Sequence, residues 1–297
     1  MSKYSIKDLE NLTGVKAHTI RIWERRYNLL SPERTDTNIR TYSDDHLKRL
    51  LNVTLMLGYG HKISKVSKLS DVEINQTIKE HLVSTEGAER EEQYIENSVN
   101  GLVVAMIELD EESFNHIFTT SLAKRGFEAT ILKVVYPFLE KVGVLWTIDE
   151  LNPAQEHFIS NLIRQKVIVA SDKLKTPVHP KGTFVLYLPE EEMHELGLLL
   201  ANYLLKENGY KTIYLGQNVP FRDLVKVVDI CHPECLMTFS IIGGSDFDLY
   251  SYLKKLNKTF PQQEIYIAGG IQKVADKTIP SNIRLIQSIT HFVEELD

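Results

Sequence analysis

Glu192-Met-His194-Glu-Leu-Gly197 sets a carboxylate two residues before an imidazole. The segment follows an apolar run, Thr183 to Leu188, that breaks at Pro189, and it precedes a helical pattern of Leu196, Leu199, Leu200, Tyr203 and Leu204. His194 is therefore expected at a strand-to-helix turn, where open α/β sheets bind their ligands. A helix N-terminus disfavours positive charge, which suits an imidazole that offers its lone pair to a metal. Glu192 could accept the opposite ring N–H and fix the tautomer. Taken alone the signal is modest, because a loop histidine is usually solvated and acids ahead of a helix usually complement its dipole.

A second group lies near the start of the chain. Ile6, Leu9 and Leu12 mark one face of a short helix ended by Thr13-Gly14, and a second helix is expected from about Lys16 to Tyr27. Its polar side carries His18, Thr19, Arg21, Arg25 and Arg26, suited to phosphates and base edges, while Ile20 and Trp23 turn inward. Leu29 to Arg34 and Asn38 to Tyr42 read as a two-stranded wing, from which Arg40 and Tyr42 would reach a nucleic-acid backbone. Ser43 with Asp44 and Asp45 then starts another helix. Glu24 is expected to pair with a neighbouring arginine, since a carboxylate facing phosphates would be costly. Residues 1–70 hold 13 Lys/Arg against 7 Asp/Glu, a net of +6, whereas the remainder carries −12. Only the head is suited to a polyanion.

These groups need several elements to hold them. Residues 1–75 form the expected winged helix-turn-helix, and the polar stretch 76–93 is expected to be a helical or flexible linker. Residues 94–178 show helical periodicity over Ile95–Ile107, Phe114–Leu122, Phe127–Leu145 and Ala154–Leu174, a four-helix bundle. Residues 179–297 alternate strands near 183–188, 212–215, 236–241, 264–268 and 283–287 with amphipathic helices, a flavodoxin-like (Rossmann-like) parallel sheet. The fold class is thus multidomain, α and α/β. No Gly-x-Gly-x-x-Gly follows the first strand, which disfavours a dinucleotide. Cys231 and Cys235 lack the second ligand pair a structural zinc needs. With 43% hydrophobic and 25% charged residues, and no run of membrane-spanning length, a cytoplasmic protein without membrane contact is expected.

Glu192-x-His194-x-x-Gly197 resembles the Asp-x-His-x-x-Gly signature of cobalamin-binding domains, with glutamate in the aspartate position. The later elements of that family follow in order as Ser240-Ile-Ile and Gly269-Gly270. The resemblance implies that His194 is the axial ligand beneath cobalt. It also implies that small residues (Ser240, Gly243, Gly244, Gly269, Gly270) leave room for the cofactor's nucleotide tail, although Gly pairs also simply make tight turns. Arg21-Ile-Trp-Glu-Arg-Arg-Tyr27 resembles the MerR-type winged helix-turn-helix over about the first 70 residues. On their own Trp146 reads as core and Glu156-His157 as surface, yet together they resemble the Trp-x9-Glu-His motif of cobalamin-binding transcription regulators. That likeness implies a bundle capping the upper face of the cofactor, near its 5′-deoxyadenosyl group.

Across nearly its whole length the chain is similar to the CarH/LitR group of adenosylcobalamin-dependent, light-responsive repressors. The resemblance implies a dimer or tetramer that binds an operator in double-stranded DNA and comes apart when light breaks the Co–C bond. Thr147 departs from light-responsive relatives that carry histidine after the tryptophan, so the upper ligand of a lit state would be different, from His157 or water. Two other readings stay open: a cofactor-independent MerR-type repressor controlled by a protein antagonist, and a corrinoid methyl-carrier protein. The basic winged head argues against the carrier, and the chain is not expected to be an enzyme.

Overall fold

A computed structural model of the chain describes residues 4–35, 37–84, 91–147, 152–240 and 248–296. It divides into two compact units, Met1–Leu162 and Ile163–Asp297.

In the first unit, α1 (Ile6–Thr13) starts with a reciprocal cap, in which Ser5 Oγ accepts the Asp8 N–H and the Asp8 carboxylate accepts the Ser5 N–H. It ends at Gly14, whose φ of 74° needs glycine. α2 (Ala17–Tyr27) closes on Asn28 in the left-handed region. The wing is short: β1 (Glu33–Arg34) pairs antiparallel with β2 (Arg40–Thr41). Ser43 caps α3 (Asp44–Gly58), followed by α4 (Ile63–Val66). Leu9, Leu12, Ile20, Leu47, Leu50 and Leu51 form the buried core of this head.

Part of the expected linker is helical. α5 (Asp71–Ser84) is joined to α3 by an Arg49–Asp71 ion pair and by the Asn52 amide, which donates to Asn75 Oδ1 at 2.7 Å; residues 85–90 lie outside the described residues. Next come α6 (Glu91–Glu108) and α7 (Glu111–Thr130), the latter broken at Gly126 with φ 78°. A π-helical turn over Ile131–Val135 leads into α8 (Tyr136–Thr147), and α9 (Pro153–Lys173) follows, its residues from Ile163 onward belonging to the second unit. Leu102, Met106, Phe114, Phe118, Phe138 and Ile159 are buried.

Within this unit the head and the bundle are packed together. Lys141 Nζ on α8 donates to the Leu12 carbonyl at the end of α1 (3.1 Å) and to Asn100 Oδ1 on α6 (2.7 Å). Burial pushes the Lys141 amine below the usual lysine range. Gly58 lies so close to α6 that an added Cβ would stand 2.4 Å from Asn97 Oδ1.

The second unit is a five-stranded parallel sheet of order β4-β3-β5-β6-β7, formed by β3 (Thr183–Pro189), β4 (Lys211–Val219), β5 (Cys235–Phe239), β6 (Glu264–Ala268) and β7 (Ile283–Ile286). This is the doubly wound order with its switch point between β3 and β5. Val185, Tyr187, Leu236, Ile265 and Ile267 meet α11 (Phe221–Cys231) and α12 (Leu249–Thr259) in one core, while α10 (Leu196–Glu207) packs on the other face. With both faces covered, β3 is buried almost throughout, which explains its unbroken apolar run. α13 (Ile289–Glu294) follows β7.

Candidate functional site

The loop from β3 to α10 is tied down at the end of β4. Glu191, at φ 70°, donates its N–H to Asn218 Oδ1 at 3.0 Å, and Gln217 Nε2 donates to the Met193 carbonyl at 2.7 Å. Glu192 is buried, and its Oε1 lies 2.8 Å from His194 Nδ1 while also accepting the His194 backbone N–H at 3.0 Å. An ionised carboxylate only accepts, so Nδ1 carries the ring proton and a neutral imidazole keeps its lone pair on Nε2. The His194 side chain is 54% exposed against 6% for Glu192. A buried anchor thus orients an open nitrogen donor, an arrangement suited to a metal ligand. Beside it Glu195 pairs with Arg164 of α9 and accepts the Tyr214 hydroxyl at 3.4 Å, and burial pushes the Tyr214 phenol up to about 12.

Close packing accounts for the glycines. A Cβ on Gly197 would meet Phe239 Cε1 at 2.8 Å, so the first turn of α10 can lie on β5 only without a side chain there. Ser240 is buried where β5 ends and donates its N–H to the Ala268 carbonyl at 2.9 Å. Gly269 and Gly270 have φ of 77° and 62°, and a Cβ on Gly270 would approach the Ser240 carbonyl to 3.1 Å. His194, Glu192, Gly197, Ser240, Gly269 and Gly270 therefore follow the C-terminal ends of β3, β5 and β6, one edge of one sheet. Gly243 and Gly244 lie outside the described residues.

In the first unit Trp146 falls in the last turn of α8, and its side chain and that of Thr147 lie outside the described residues. At the start of α9, Glu156 Oε2 stands 2.9 Å from His157 Nδ1 while Oε1 accepts the Ser160 hydroxyl at 2.6 Å. The His157 side chain is 73% exposed. This pair repeats the Glu192–His194 polarity, with the carboxylate on Nδ1 and Nε2 turned away from it.

In the head, His18, Arg21, Arg25 and Arg26 are exposed along α2, and Thr19 Oγ1 lies 3.3 Å from His18 Nε2. Ile20 is buried, as expected. Glu24 joins α2 to the wing: its carboxylate binds Arg40 Nε at 3.1 Å and accepts the Tyr42 hydroxyl at 2.6 Å. Tyr42 departs from its expected role. It is 1% exposed, hydrogen-bonded through its backbone to Tyr4 and through its hydroxyl to Glu24, so it braces the head instead of facing a nucleic acid. Arg40 stays half-buried on Glu24.

Two segments of the chain match known families. Residues 4–72 match the MerR HTH family regulatory proteins, and residues 99–170 match the B12 binding domain. The chain is 27% identical over 267 residues to the HTH-type transcriptional repressor CarH of Myxococcus xanthus, spanning 90% of this chain and 88% of that one. The chain is a MerR-type regulator with a B12-binding domain. Its identity to the repressor CarA of the same organism is 26%, over 72% of this chain and 68% of CarA. Among solved structures, the monomethylamine corrinoid protein of Methanosarcina barkeri shares the fold, with a TM-score of 0.53 at 15% identity, covering 66% of this chain and 92% of that protein.

Several supports of this MerR-type regulator's loop escape a sequence reading. Asn218, Gln217 and Arg164 act on the His194 loop from 23 residues or more away in sequence, and only the pairing of β4 with β3 or the placement of α9 makes them neighbours. The acidic run at 190–192 hides that Glu192 alone holds the imidazole. No helix among the described residues is long and apolar enough to cross a membrane.

Proposed function

We propose that this MerR-type regulator is a repressor whose operator binding is governed by adenosylcobalamin and by light. The observation that carries the reading is the Glu192–His194 pair at the switch point of a corrinoid-type sheet, in a chain that also carries a MerR-type head. His194 Nε2 would ligate cobalt, with Glu192 fixing its tautomer; Ser240, Gly269 and Gly270 would keep the sheet edge open for the nucleotide tail, while Gly197 lets the first turn of α10 lie against Phe239. The resemblance of Trp146, Glu156 and His157 to the Trp-x9-Glu-His motif supports the adenosyl form of the cofactor. When bound, the cofactor supplies a cobalt–carbon bond that light can break.

His18, Thr19, Arg21, Arg25 and Arg26 are the residues that would meet duplex DNA, with Arg40 beside them. The cofactor can shift an assembly only by binding one form better than another. Several heads in one assembly raise the effective concentration at an operator, so loss of the assembly would release DNA with each head unchanged. The test is DNA binding and oligomeric state of the purified chain with adenosylcobalamin, in darkness and after green light, for wild type and His194→Ala. The reading requires a light-dependent change in wild type that His194→Ala abolishes; an unchanged cofactor uptake in His194→Ala would remove the ligand assignment.

A further inference from the structure

The exposed face of α2 is not uniformly polar. Ile22 is 42% exposed, and helical spacing sets it beside His18 four residues before, Arg25 three after and Arg26 four after, with Arg21 next to it. The orientation of the helix is fixed from the opposite side, where Ile20 is buried in the head core. Among the described residues through Ser70, only two large hydrophobic side chains are exposed, Ile22 on α2 and Ile39 on the wing at 60%. Every other large apolar side chain among those described residues is at least half covered, and the two exceptions stand on α2, which carries Arg21, Arg25 and Arg26, and on the wing, which carries Arg34 and Arg40. A single exposed isoleucine elsewhere would be ordinary; ringed by His18, Arg21, Arg25 and Arg26 on a head of net charge +6 over residues 1–70, it sits where a polyanion must approach.

We infer that Ile22 is a specificity-determining residue that reads a thymine C5-methyl group in the major groove. The inference rests on the DNA-binding reading above and goes beyond it, because phosphate contacts by the arginines position the helix without carrying sequence information. A branched aliphatic chain cannot hydrogen-bond a base edge, and the one apolar group that the major groove displays is the thymine methyl. Ile22 also has few rotamers to lose on docking, its β-branch restricting χ1. His18 and Arg25, four residues before and three after it on the same face, would hold the flanking phosphates or base edges.

The experiment selects binding sites for the full-length chain, in the cofactor state that binds best, from a pool of random-sequence duplex DNA. Each thymine of the enriched site is then replaced singly by uracil, which deletes only the methyl. Wild type is expected to lose about three- to five-fold in affinity at one thymine per half-site, the loss appropriate to one buried methyl. Ile22→Ala should bind thymine and uracil there equally, and Ile22→Val should keep most of the discrimination. Circular dichroism of the variants checks that an exposed substitution leaves the head folded. Equal uracil losses in wild type and Ile22→Ala, or no uracil-sensitive thymine in wild type, overturn the inference while leaving DNA binding intact. No enrichment by wild type in any cofactor state overturns the DNA-binding reading itself.

Discussion

Glu192 holds His194 twice through one oxygen, at 2.8 Å from the ring Nδ1 and 3.0 Å from the backbone N–H. The double contact fixes both the tautomer and the ring's place in the loop. Glutamate stands where the cobalamin signature has aspartate, and the longer side chain still reaches the ring. Glu192→Ala is expected to weaken corrinoid affinity about 10–100-fold, as loss of a ligand's outer partner typically does. Glu192→Gln keeps an acceptor and should cost less. Spectroscopic titration with cobalamin measures both, and equal affinity for wild type and Glu192→Ala would contradict the role.

Gly197 sets two effects against each other. Alanine in a helix gains about 1 kcal/mol over glycine, whereas pressing a methyl into the Phe239 ring costs about 1–3 kcal/mol. The Cβ would stand 2.8 Å from Cε1, and the ring is packed under the helix, so the clash should win. Gly197→Ala is expected to lower stability by about 1 kcal/mol net, and Phe239→Leu in the same chain should restore part of it. Chemical denaturation of the single and double variants decides the sign; a more stable Gly197→Ala would refute the packing argument.

Tyr42 and Arg25 should separate bracing from contact. Tyr42→Phe removes the hydroxyl bound to Glu24 and should cost about 1.5–3 kcal/mol of stability, as for a hydrogen bond to a charged group, with the salt dependence of DNA binding unchanged. Arg25→Ala should leave stability nearly unaltered and reduce the salt slope by about 0.9 if the side chain neutralises one phosphate. Melting curves and binding titrations across salt concentrations test the pair, and a lowered slope in Tyr42→Phe would return that residue to the DNA surface.

Much of the architecture was legible because its causes are local. The break of the β3 run at Pro189, the stop at Gly14 and the cap at Ser43 each act within a few residues, and the five expected strands lie within a few residues of those observed. The burial of Tyr42 was not legible. Its partner Glu24 lies 18 residues away, and only the folding of the wing onto α2 brings them together. The same holds for Lys141, 129 residues from the Leu12 carbonyl it binds. Nor were Arg49–Asp71 and Asn52–Asn75 legible, because the partners that join α3 to α5 stand 22 and 23 residues apart.

The contact of α3 with α6 gives a test of that docking. Gly58→Ala would drive a methyl to 2.4 Å from Asn97 Oδ1, on a buried side chain with little room to move. A loss of about 1–3 kcal/mol in the first unit is expected. Asn97→Ala, which deletes the obstructing amide, should recover part of it in the double variant. Additive losses in the double-mutant cycle would show that the two residues do not touch.

The most direct test of the central claim is the absorption spectrum of the purified chain mixed with adenosylcobalamin in darkness, desalted, and read before and after green light, beside His194→Ala. The account predicts that wild type retains an alkylcobalamin spectrum that changes on illumination and that His194→Ala loses the cofactor or its axial-ligand signature. Wild type emerging from desalting without corrinoid, or His194→Ala giving the same spectrum as wild type, would contradict it.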